Sequence, residues 1–88
     1  MEEQEVLTEL LDLAEVLGLE IRRAALGGQG GGRCRVGVKE ILFVDTDASS
    51  SERIARTAGA LAEMGNLEDR FVLPQIREVI ERYRNDVL

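Results

Sequence analysis

The sequence predicts an α+β domain, with an N-terminal helix, a three-stranded antiparallel meander sheet and two C-terminal helices. Three observations lead there. Apolar residues recur at helical spacing toward both ends of the chain, three short runs of strand character lie between, and the links joining those runs are short and carry glycine. A parallel strand pair needs a crossover of about a dozen residues, so short links imply antiparallel neighbours. With 88 residues and no spacer rich in Pro, Ser or charge, residues 1–88 read as one compact domain.

Each element has its own signal. From Glu2 to Leu17, Val6, Leu7, Leu10, Leu11, Ala14 and Leu17 paint one side of a helix, which Gly18 ends. "LEIRRAAL" (19–26) reads as the first strand because a glycine run follows it, although Ile21 is its one β-branched residue. "RCRVGV" (33–38) alternates Arg33, Arg35 and Gly37 against Cys34, Val36 and Val38, a pattern with one wet and one buried face. Cys34 is then expected to be buried. "EILFVD" (40–45) is apolar without a break from Ile41 to Val44, as in a strand covered on both faces or lying beneath a helix. Asp47, Ser49 or Ser50 is placed to cap a helix whose Ile54, Ala55, Ala58, Leu61 and Ala62 form a stripe, stopped at Gly65–Asn66. Its small residues, Gly59 among them, suit close approach to a neighbour, expected to be the sheet. Pro74 opens the last helix, with Ile76, Val79, Ile80 and Tyr83 on its buried side.

Composition narrows the function. The formal charge of −6 repels nucleic-acid phosphates unless basic residues gather on one face, so nucleic acid is not an expected partner. No apolar run approaches the roughly 18 residues that cross a bilayer, and the acidic start lacks the basic and apolar regions of a secretory signal. Cys34, the one cysteine, cannot form an internal disulfide. A cytoplasmic protein acting away from membranes is expected.

Two motifs suggest chemistry. Gly27-Gly28-Gln29 resembles the Gly-Gly-Gln core of the peptide chain release factors, but "GGGRCR" follows it and no basic tail closes the chain. "ILFVDTDAS" (41–49) resembles the first motif of the haloacid dehalogenase-like phosphatases, which implies Asp45 as nucleophile and Asp47 as acid/base beside magnesium. That family needs a longer βα domain and a lysine downstream, whereas Lys39, the one lysine here, lies upstream. Asp45 and Asp47 opening a turn ahead of the helix explain the same residues. With no histidine, a His-Glu-x-x-His zinc site is excluded, and Cys34 lacks the usual base of a thiol nucleophile. No catalytic residue, cofactor or metal is assigned, Asp45 and Asp47 being metal candidates only through that resemblance.

Charge is segregated along the chain. Residues 1–20 hold seven acidic side chains and no basic one, while residues 21–38 hold Arg22, Arg23, Arg33 and Arg35 and no acid. If the glycines close a hairpin between the first two strands, Arg22, Arg33 and Arg35 share a face. That face calls for an anion, either an external phosphate held by these arginines and the amides of Gly28, Gly30 and Gly31, or an acidic surface of the protein. The simpler reading of the stretch from Gly27 to Gly32 is a flexible hairpin loop.

The acidic helix, glycine loop, cysteine-bearing strand, "ILFVD" and closing "LPQIREVIERY" together resemble a group of small uncharacterised bacterial proteins, a resemblance that implies a free-standing bacterial protein and no activity. The leading expectation is a non-enzymatic interaction or assembly module, a homodimer or the partner of another protein, because a three-stranded sheet leaves edges to cover. The alternative is an anion- or nucleotide-binding accessory protein using the loop and its neighbouring arginines.

Overall fold

The computed structural model describes residues 1–28, 30–64, 67 and 70–84. Helix α1 (Glu3–Val16), strands β1 (Glu20–Ala24), β2 (Gly32–Val36) and β3 (Lys39–Asp45), and helices α2 (Ser50–Met64) and α3 (Pro74–Arg82) follow one another along the chain. The expected helix stop at Gly65–Asn66 and the glutamine of the Gly-Gly-Gln motif, Gln29, lie outside the described residues.

α1 begins where Glu5 accepts a hydrogen bond from the Glu2 N–H at 3.0 Å, and its acidic first turn complements the helix dipole. It ends in a Schellman motif. Gly18 N–H donates to Glu15 O and Leu19 N–H to Ala14 O, both at 3.0 Å. That closure requires Gly18 at φ +99°, a backbone region open to glycine, and it turns the chain directly into β1.

The sheet is mixed, and its order is β1-β3-β2. β1 runs parallel to β3 with Arg22 beside Phe43, and β2 runs antiparallel to β3 with Cys34 beside Ile41. The expected antiparallel meander is thereby corrected. A long connection does separate the parallel pair, because β2 and both of its links lie between β1 and β3 in the chain. The last strand enters between the first two, and residues 25–28 and 30–31 lie over the carboxyl end of β3 on the way to β2.

Alternation assigns the faces. Leu42 and Val44 of β3 join Leu7, Leu10, Leu11 and Ala14 of α1, Ile54, Ala58 and Leu61 of α2, and Ile76 and Ile80 of α3 in a single buried cluster. Ile21 of β1 packs against it. α2 packs most extensively on α1, and more lightly on β3, β2 and α3, so its small-residue stripe serves a helix neighbour more than the sheet. Ser49 caps it by accepting the Glu52 N–H at 3.2 Å.

The opposite face of the sheet carries Cys34 and Val36 of β2 with Ile41 and Phe43 of β3. Cys34 is exposed, correcting the expected burial, and Val36 is 57% exposed. Arg33 and Arg35 are on the helix-bearing side, since they pair with Leu42 and Glu40. β2 is thus turned over relative to its sequence pattern. A period of two reports two faces and leaves open which one is covered. No helix among the described residues is long and apolar enough to cross a membrane.

Candidate functional site

The glycine loop closes on a carboxylate of its own chain. Asp45, the last residue of β3, is 3% exposed. Its Oδ1 accepts from Leu26 N–H and Asp47 N–H, each at 2.9 Å, and its Oδ2 from Gly28 N–H at 2.7 Å and Gly30 N–H at 3.1 Å. Gly27 N–H donates to Asp47 Oδ2 at 3.0 Å. Since β1 stops level with Asp45 and the chain must pass over that strand end to reach β2, these amides are carried to the carboxylate by the topology itself. Burial alone raises the Asp45 pKa, but the hydrogen bonds from Leu26, Asp47, Gly30 and Gly28 outweigh it and hold the carboxyl below its ordinary value.

Gly31 completes the crossing. It has φ +100°, and a Cβ there would meet Phe43 O at 3.0 Å, so the loop passes closer to β3 than a side chain allows. Beneath the loop, Arg53 of α2 donates through Nε to Asp45 O at 3.2 Å and Ala48 O at 3.1 Å, and through Nη2 to Thr46 O at 2.8 Å. This one guanidinium fixes the turn that follows β3.

The anion-binding candidates are divided by this arrangement. The amides of Gly28 and Gly30 are taken up by Asp45, a carboxylate of the chain itself. Gly31 supports the crossing through its close approach to β3, and its carbonyl accepts from Arg56 at 3.4 Å. Arg22 stands on β1, at the opposite edge of the sheet from Arg33 and Arg35, because β3 separates the two strands. The shared arginine face expected from a β1–β2 hairpin is thus corrected. Arg33 and Arg35 both meet Glu40, at 3.1 and 3.2 Å, and Arg33 also reaches Glu63 of α2 at 3.6 Å. Arg22 meets Glu20 at 2.6 Å, and that hydrogen bond keeps the Glu20 carboxyl below its usual range.

Asp45 and Asp47 do not form the open acidic pair that the phosphatase resemblance implies. Both oxygens of Asp45 already accept two N–H groups each, so an attacking or metal-bound carboxylate would first have to release the loop. Among the described residues no three His, Cys, Asp or Glu side chains come together as a metal site.

The second feature is the open face of the sheet. Leu26, Gly31, Gly32, Arg33, Cys34 and Phe43 line a shallow, mostly apolar groove of about 290 Å³ at its β2 edge. Glu20 and Arg22 of β1 and Lys39 of β3 lie on the same face, with Lys39 3.6 Å from Glu20. Sequence reasoning missed this face because it took Cys34 and Val36 as core. It missed Arg53 for another reason: its partners are three backbone carbonyls, which leave no mark on a sequence. Comparison with protein-family models, with curated proteins and with solved structures finds no significant match.

Proposed function

We propose that the protein is a non-enzymatic assembly module that forms a homodimer through the open face of its sheet. The observation that carries this reading is the inverted polarity of β2, whose Cys34 and Val36 face outward while its arginines turn toward Glu40 and Glu63. An apolar sheet face without a covering helix is stabilised by association. A second copy fits it because the face has an apolar centre and, beside it, one acidic and two basic side chains, Glu20, Arg22 and Lys39, which can pair with their own equivalents across a two-fold axis. The edges suit pairing less well, since β2 carries two arginines and β1 carries Arg22 and Arg23.

Sedimentation equilibrium tests this. A dimer is expected at about 100 µM, the range a standard interface comfortably exceeds in affinity. Val36→Glu, which changes an exposed position, is expected to give a folded monomer. A wild-type monomer at that concentration, or a dimer indifferent to Val36→Glu, rejects the open face as the interface.

A further inference from the structure

We propose that the cleft between α1 and the carboxyl ends of β1 and β3 binds a small phosphate monoester through Arg23 and Arg53. The cleft measures about 140 Å³, and its walls include Arg23, Arg53, Thr46, Thr8, Gln4 and Asp12. It lies on the helix-bearing side of the sheet, away from the proposed dimer face, and shares Arg53 with the turn that follows Asp45. The inference does not rest on self-association.

Charge makes the argument. Arg22, Arg33, Arg35, Arg56 and Arg84 all face carboxylates. Arg23 has neither a hydrogen bond nor an ion pair among the described residues, and Arg53 is bonded to neutral carbonyls alone. Two guanidinium charges without a counterion therefore share one cleft, in a chain whose net charge is −6. Register places Arg23 there, since it pairs with Val44 and shares its face.

Geometry and chemistry narrow the ligand. Arg53 is locked by three backbone carbonyls, so little side-chain freedom is lost when it receives an anion, and its Nη1 lies outside those bonds. Arg23 is free to swing its fork onto a phosphate. Thr46 is fixed at the strand end by its N–H to Ala24 O at 2.9 Å and lines the cleft. Thr8 already donates to Gln4 O at 3.0 Å and so serves as wall. Asp12 is beyond ion-pair distance of both arginines and opposes a bare anion on its side of the cleft. A hydroxyl of the ester's alcohol part, donated to Asp12, resolves that opposition. The outer side of strand carboxyl ends is also where open α/β sheets receive ligands.

The test is an NMR titration of the full chain with inorganic phosphate and, separately, with glycerol 3-phosphate, sodium chloride holding the ionic strength. Glycerol 3-phosphate is expected to shift the Arg23 and Arg53 Nε–H signals and the Thr46 amide together and to saturation. Arg23→Gln, at an exposed position that leaves the core intact, should weaken binding about tenfold or more, while Arg33→Gln leaves it unchanged. Absence of saturation by about 20 mM glycerol 3-phosphate overturns the proposal. So does equal binding by Arg23→Gln, a response centred on the Gly28 and Gly30 amides, or saturation by inorganic phosphate alone, which would remove the monoester.

Discussion

At the scale of single residues, Asp45 explains why a glycine-rich stretch need not be slack. Five glycines in six residues suggest a chain too costly in entropy to order, yet the described amides of Leu26, Gly28 and Gly30 meet one buried carboxylate. The sequence shows an aspartate closing an apolar run and a loop with spare N–H groups. It does not show that the two meet, because the contact spans 15 to 19 residues and depends on the strand order. The folded carboxyl has a depressed pKa, so its contribution to stability is present well above the ordinary value of 3.8 and is lost as pH falls below that value through the folded one. Asp45→Asn should therefore lower the melting temperature at pH 7 and flatten its decline below about pH 4. Hydrogen exchange at Gly28 and Gly30 should speed up by about tenfold or more in the same variant. Unchanged exchange there would mean the carboxylate does not hold the loop.

At the scale of elements, helices were more legible than strands. Leu7, Leu10, Leu11 and Ala14 at helical spacing locate the covered side of α1, and the Gly18 stop is realised as a full Schellman closure. β2 shows the limit of pattern. Its alternation is correct in period and reversed in meaning, since the arginines find Glu40 and Glu63 on the helix side. Which face of a strand is covered is decided by neighbours that come later in the chain. A pair of truncations separates the two sides. Leu42→Ala, at a fully buried position of β3, should cost about 2–5 kcal/mol in urea denaturation. Cys34→Ala on the open face should cost less than about 0.5 kcal/mol below the dimerisation range. A large loss from Cys34→Ala would place that face in the core after all.

At the scale of the whole molecule, the helices are gathered on one side of a three-stranded sheet, and polarity is arranged around that asymmetry. The parallel relation of β1 and β3 was not legible because the element that separates them in sequence, β2, is itself a member of the sheet. In this strand order, β1 and β2 are joined in sequence yet touch only through β3, so neither has its sheet partner until residues 39–45 arrive. Pairing of β1 with β3 is therefore non-local, whereas β2 and β3 meet across residues 37–38. The grip on Asp45 needs β3 already in place at the strand ends, so it is expected to be a bolt drawn late in folding rather than part of the nucleus. Stopped-flow measurement on Asp45→Asn should then find the folding rate nearly unchanged and the unfolding rate raised by almost the full loss in stability. A substitution at this bolt would alter how long the native sheet lasts, while leaving the time needed to form it nearly the same.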